Sequence, residues 1–321
     1  HKLIKILIFW FLILIISNTL SIINKGFENR KIIPKILNTQ DPRVMLEKEI
    51  GKSITKNSQV FFKESNTNII LVGDSHAESL TYKLYNNLDK NKYNLFTSLF
   101  GGCQYILNLN RVNKKTLKKT DCTIKLQNER QEFINKSKNS VVILFGRLPL
   151  ILEEDRYYNS ELDVYEGELS DFMQTKNNNL LTKKLRQESI NYNYKLTINN
   201  LLQNNHKVII VYPFPEVGVS VPKYIFEKKL IKDNINSSKY LTVSYQDYII
   251  RTKSSFTLLN SLKGKNIYRV YPHKLLCNTY IKNRCLTHYG KQIYYRDDDH
   301  PSIKGSEMIS ELILKELNKM N

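Results

Sequence analysis

Glycine and proline are scarce in this chain, 11 and 8 among 321 residues. That excludes a collagen-like fibre and a low-complexity linker protein, which need both in bulk. Four cysteines are too few for a disulfide-stapled miniprotein. No Gly-x-Gly-x-x-Gly, no Gly-x-x-x-x-Gly-Lys-Ser/Thr and no His-Glu-x-x-His occurs, so the common nucleotide, flavin and zinc-protease signatures are missing. Negative charge is also in short supply. Thirty Asp and Glu stand against 49 Lys and Arg, a formal net charge of +19. Such a balance fits a nucleic-acid partner, but its arrangement does not. The lysines are scattered singly or in pairs (114–115, 118–119, 183–184, 228–229), with no basic stripe to follow a phosphate backbone. Nucleic acid is therefore not an expected partner, whereas a basic surface suits acidic glycans or anionic head groups.

What is present is ordinary globular composition, 41% hydrophobic and 25% charged, enough chain for one large domain or two small ones. One long apolar run stands at the start. Residues 6–23 carry no charge, and at about 1.5 Å per residue they nearly span a hydrocarbon core of about 30 Å. The run is long for a cleaved signal peptide and no small-x-small cleavage site follows, so 1–24 is expected to be a transmembrane helix. Lys2 and Lys5 precede it and Lys25, Arg30, Lys31 and Lys35 follow, which leaves its orientation unset. The first residue is His rather than Met; the chain is expected to be part of a longer protein, with this helix the last of a membrane domain. Residues 25–65, polar and containing Pro34 and Pro42, read as a juxtamembrane connection with a short helix at 44–50.

From residue 66 the texture changes. Short β-branched runs at 69–72, 93–98, 141–145, 208–212, 266–271 and 292–295 alternate with amphipathic stretches at 78–88, 121–136, 181–202 and 302–317. Apolar strands separated by helices predict an α/β domain with a mostly parallel sheet covered on both faces. The Asn-rich stretch 153–179 reads as a surface insertion. Cys103, Cys122, Cys277 and Cys285 fall into two local pairs, so the preferred bridges are 103–122 and 277–285; behind a membrane anchor, they imply an oxidising compartment. A zinc site of Cys277, Cys285 and His288 is a poorer match to known spacings, and free thiols remain an alternative.

In such sheets ligands sit at the carboxyl ends of the strands. The first strand ends in Gly-Asp-Ser-His at 73–76, and Asp-Asp-Asp-His at 297–300 precedes the last helix. Gly73 permits a sharp turn that places Ser75 beside a helix N-terminus, where free N–H groups stabilise negative charge. A Ser hydroxyl needs a base, and the base an orienter. His300 is the candidate base, and Asp297, three residues before it, can reach its Nδ1–H. Each motif has a plainer reading, an N-cap for the first and a solvated or metal-binding turn for the second. The elbow Gly-x-Ser-x-Gly of α/β-hydrolases is nearly met at 73–77, but Ser75 on the first strand and the close Asp297–His300 spacing speak against that fold. His76 is expected to point elsewhere, and His206 and His273 to be surface residues.

Taken together, the two motifs resemble the SGNH (GDSL-like) hydrolase superfamily. More closely, they resemble the SGNH domain fused C-terminally to acyltransferase-3-type membrane proteins, which include O-antigen acetylases. Phe-Gly-Gly-Cys at 100–103 and Tyr-Pro-Phe-Pro-Glu at 212–216 add weakly to the likeness. The resemblance implies a three-layer α/β/α, flavodoxin-like domain over 66–321. It implies Ser75 as nucleophile, His300 as base, Asp297 as orienter, and an oxyanion hole from the N–H groups of Ser75 and of Gly101 or Gly102. In the superfamily an Asn side chain follows the third strand; here Gly146-Arg147 stands there. Arg147 is therefore a candidate oxyanion or substrate contact, or a partner for a carboxylate. The implied activity is acetyl transfer to a cell-envelope glycan hydroxyl outside the bacterial inner membrane. No cofactor or metal is expected on this segment itself, and the resemblance implies acetyl-CoA as the acyl donor by way of the membrane domain. The alternatives are an anchored esterase and a catalytically silent glycan-binding module.

Overall fold

The computed structural model describes residues 2–23, 41–55, 57–175, 182–228 and 240–320. Two compact units are separate, residues 1–38 and 39–321. The first contains the helix Lys2–Ile23, whose stretch Ile4–Ile22 is long and apolar enough to cross a membrane. Residues 24–40, most of the expected connection before Pro42, lie outside the described residues, as do 176–181 of the expected insertion and helix start.

The second unit is built on a six-stranded sheet: β1 (Asn57–Phe62), β2 (Thr67–Gly73), β3 (Tyr93–Leu99), β4 (Val141–Phe145), β5 (Lys207–Val211) and β6 (Ile267–Val270). Their spatial order is β1-β3-β2-β4-β5-β6. All neighbours are parallel except β1, which runs antiparallel to β3 with a bulge near Val60. The inner strands are mostly apolar because both faces are covered, although β3 also buries Asn94, Thr97 and Ser98. On one face Ile70, Val72, Val142, Leu144, Val208 and Ile210 join a single core with the helices Ile124–Asn135, Lys183–Gln203 and Tyr245–Ser261. The helices Ser75–Asn87 and Ile303–Asn318 pack together and against strands of the same sheet. The last helix buries Gly305, Ile309, Ile313 and Leu317, a stripe at helical spacing, and Ser302 Oγ caps it by accepting from the N–H groups of Lys304 and Gly305. The expected three-layer α/β/α arrangement is the one observed.

The sequence of strands moves from β2 outward to β3 on one side and then to β4 on the other. The switch of direction therefore lies between β2 and β4, where such sheets open a crevice. Three expectations need correction. The connection read at 25–65 holds more than the short helix expected at 44–50: that helix is present as Pro42–Ile50, and β1 follows as an edge strand, both within the second unit. The strand expected at 292–295 is only a two-residue piece, Gln292–Ile293, paired with His288–Tyr289 outside the main sheet. The stretch 153–179 is not merely superficial, since Asp171–Gln174 pairs with Asn110–Asn113 and the Glu166 side chain is only 4% exposed.

Candidate active site

Ser75 is the first residue of its helix. Asp74, the N-cap, accepts from the His76 N–H through Oδ1 at 2.9 Å. Gly73 is demanded by packing: a Cβ there would stand 1.9 Å from the Phe145 carbonyl oxygen, so only glycine lets β2 and β4 close at this point. Asp74 Oδ2 meanwhile accepts from the Arg147 N–H at 2.9 Å. One buried carboxylate thus joins the ends of both strands directly beside the serine.

The loop after β3 is held from several sides. Phe100 N–H donates to the Gly73 carbonyl at 3.1 Å, and Cys103 N–H closes a turn onto the Phe100 carbonyl at 2.9 Å. Gly102 within that turn has φ +70°, a left-handed conformation that suits glycine. A disulfide joins Cys103 to Cys122, and a second joins Cys277 to Cys285. Arg130, buried on the helix Ile124–Asn135, donates to the carbonyls of Cys103, Gly73 and Ser98 at 3.1, 3.0 and 2.9 Å. Burial lowers its pKa to about 10. Among the described residues, no protein acceptor takes the N–H groups of Ser75, Gly101 or Gly102. These are the donors named from the sequence for an oxyanion.

His300 comes from the opposite end of the chain. Its loop is closed by a Tyr295–Pro301 bridge and by Arg296 N–H donating to the His300 carbonyl. Asp297 Oδ1 accepts from the N–H groups of Asp299 and His300 at 3.1 and 2.8 Å, which curls the loop around its carboxylate. The His300 Nδ1 lies 2.9 Å from Asp297 Oδ2, and Nε2 lies 2.7 Å from Ser75 Oγ. With Nδ1–H directed at the carboxylate, Nε2 accepts from the serine hydroxyl. Ser75, His300 and Asp297, 225 residues apart at the extremes, are therefore in one line of contact.

A family model for the SGNH domain (fused to AT3 domains) matches residues 47–315. The chain belongs to that family. The periplasmic domain of the lipopolysaccharide acetyltransferase of Salmonella ser. Paratyphi A is a similar solved structure, with 18% identity and a TM-score of 0.47 over 80% of this chain and 85% of that one. No curated protein matches.

In this SGNH domain Arg147 follows β4 directly after Gly146, and its guanidinium faces carboxylates. Nε donates to Glu216, and the two terminal nitrogens lie 2.7 Å from Glu166 and 2.6 Å from Asp299. Arg251 grips Glu216 from the other side. Burial alone would lower the Arg147 pKa, but the three carboxylates raise it above its ordinary value. Burial pushes Glu166 up to about 7 in spite of Arg147. Glu166, Glu216, Asp299 and Arg130 were not singled out from the sequence. Glu216 lay within the quoted 212–216 segment, whereas Glu166 sits in a polar stretch with no local signal.

Three histidine expectations fail. His76 does not point away: its ring is buried 4.6 Å from that of His300 and 5.5 Å from that of Phe145. His206 is buried and accepts from Ser140 N–H, joining the starts of β4 and β5. His273 is buried against Tyr248 and Phe256, and its pKa falls to about 4. Burial disfavours the imidazolium in both. Among the described residues, two groupings bring metal-ligand atoms within 4.8 Å: His76, Asp299 and His300, and Asp297, Asp298 and Asp299. Both share Asp299, whose carboxylate is already occupied by Arg147 and His300, and we assign no ion to them.

Proposed function

We propose that this domain is an O-acyltransferase that carries an acetyl group on Ser75 and passes it to a sugar hydroxyl of a cell-envelope polysaccharide or lipopolysaccharide. The observation that carries the reading is the Ser75–His300–Asp297 line, with 2.7 and 2.9 Å contacts at the carboxyl edge of a parallel sheet. Ser75 Oγ bonds to the acyl carbon while its proton passes to His300 Nε2. The negative charge on the acyl oxygen is met by the N–H groups of Ser75 and of Gly101 or Gly102, a kind of donor worth about 3–4 kcal/mol each. Collapse expels the leaving group, which takes the proton from His300. The sugar hydroxyl then repeats the sequence, giving its proton to His300 as its oxygen takes the acyl group, and Ser75 is restored.

Transfer rather than hydrolysis is supported by the family, whose members are fused to AT3 domains, and by the apolar helix before the domain. That helix anchors the protein in the bacterial inner membrane, the disulfides suit an extracytoplasmic face, and acetyl-CoA supplies the acyl group by way of a membrane domain. The test is intact-mass spectrometry of the detergent-solubilised chain after exposure to p-nitrophenyl acetate, beside Ser75→Ala. One acetyl on Ser75, missing from the variant and discharged faster by an acceptor glycan than by water, is the expected result. No adduct and no ester turnover would refute the reading; discharge to water alone would make the protein an esterase.

A further inference from the structure

His300 faces two carboxylates. Asp297 Oδ2 lies 2.9 Å from Nδ1, and Asp299 Oδ1 lies 2.6 Å from the same nitrogen. Their surroundings differ. The Asp297 side chain is 36% exposed, with Arg296 Nε 3.5 Å from its Oδ2. The Asp299 side chain is 2% exposed, and its other oxygen meets Arg147 at 2.6 Å. Arg147 is in turn held by Glu216 and Glu166. Charges buried away from water attract one another more strongly than screened ones, so the buried carboxylate has the firmer hold on the imidazole.

We propose that Asp299 is a second positioning residue for His300, anchored by Arg147, and that it shares the Nδ1–H with Asp297. The proposal rests on the acyl-serine reading and deepens it. When the Ser75 proton moves to Nε2, the imidazole becomes an imidazolium whose charge the two carboxylates stabilise. Arg147 offsets part of the second negative charge. This gives Arg147 a task at the place after β4, a task performed through Asp299 and not on the substrate.

The titratable and charged groups around His300 are Asp297 and Asp299 on its own loop, Asp74, His76 and Glu78 at the start of the Ser75–Asn87 helix, and Arg147 and Arg296 through the two carboxylates. Burial by itself would lower the His300 pKa; Asp297 and Asp299 override it and push it up to about 10. Removing either anion should lower it.

The measurement is the pH dependence of kcat/KM for p-nitrophenyl acetate with the full, detergent-solubilised chain. The wild-type acidic limb should have its midpoint well above the ordinary histidine value of about 6.5. Asp299→Asn should move that midpoint down by about one unit or more and lower the plateau roughly a hundredfold. Asp299→Glu, which keeps the charge, should retain the raised midpoint. Asp297→Asn should also keep a midpoint above the ordinary value, because Asp299 remains. An Asp299→Asn protein with the wild-type midpoint and plateau overturns the proposal. So does a midpoint that falls to the ordinary value in Asp297→Asn, an arm that stands even if Asp299→Asn fails to fold by circular dichroism. Ser75→Ala separates the two levels: turnover at the wild-type rate in that variant sinks the acyl-serine reading itself, whereas an inactive Ser75→Ala beside an unaltered Asp299→Asn sinks only the role of Asp299.

Discussion

Asp74 offers a direct test of how the site is held, because one side chain serves both strand ends. Its Oδ1 caps the Ser75–Asn87 helix through the His76 N–H, and its Oδ2 receives the Arg147 N–H, each at 2.9 Å. Only 3% of the residue is exposed. Asp74→Ala removes the cap, a loss of about 1 kcal/mol. It also leaves the Arg147 N–H buried without its acceptor, which costs about 1–3 kcal/mol. The expected destabilisation is therefore about 2–4 kcal/mol. Asp74→Asn keeps one acceptor oxygen and should lose less. Acid provides a second signature. Burial alone would raise the Asp74 pKa, but His76 and the Arg147 N–H hold it below 3.8. A carboxyl lowered in the folded state contributes stability that is complete above its unfolded value of about 3.9 and disappears as pH falls through the folded value. The gap between wild type and Asp74→Ala should thus be full at neutral pH and narrow below about pH 4. Urea unfolding of the full chain in detergent, followed by far-UV circular dichroism at several pH values, measures both. A loss under about 1 kcal/mol at neutral pH, or a gap indifferent to acid, would refute the reasoning.

Two further outcomes are expected. Gly73→Ala puts a Cβ 1.9 Å from the Phe145 carbonyl oxygen and 2.7 Å from Ala77 Cβ; β2 and β4 must part, at a cost of about 3 kcal/mol or more, and an unaltered melting temperature would contradict the close approach. Cys122→Ser opens the link to Cys103, 19 residues away, with a loss of about 3 kcal/mol. Because that link pins the loop carrying Gly101 and Gly102, acylation by p-nitrophenyl acetate should slow in the same variant, and an acylation rate equal to wild type would show that the other restraints on the loop suffice.

The inner strands were legible because burial on both faces leaves runs such as residues 69–72 and 141–145 almost wholly apolar. The edge strand Asn57–Phe62 was not, since its first half, Asn57, Ser58 and Gln59, is polar and only Val60, Phe61 and Phe62 are apolar. The line from Ser75 to His300 and Asp297 was readable from two short motifs, each with its own local chemistry. Glu166 had no such chemistry. It is one acidic residue in an Asn-rich stretch, and its importance arises from Arg147 lying 2.7 Å away. The histidines misled for a related reason: a lone His beside Lys207 or Lys274 reads as a surface residue, and only packing buries His206 against Ser140 and His273 against Tyr248.

By itself, then, the sequence determined what depends on near neighbours: the inner strand runs, the start of the last helix at residue 302, and the residue types of the serine, histidine and aspartate. Tertiary structure alone decided which of three consecutive aspartates meets Arg147, that His76 lies against His300, and that Glu166 and Glu216 converge on one guanidinium. Those contacts join residues from separate loops, and their meeting follows from the order in which β2, β4 and β5 lie side by side. Strand order is a property of the whole packed sheet, settled by long-range burial rather than by any local pattern.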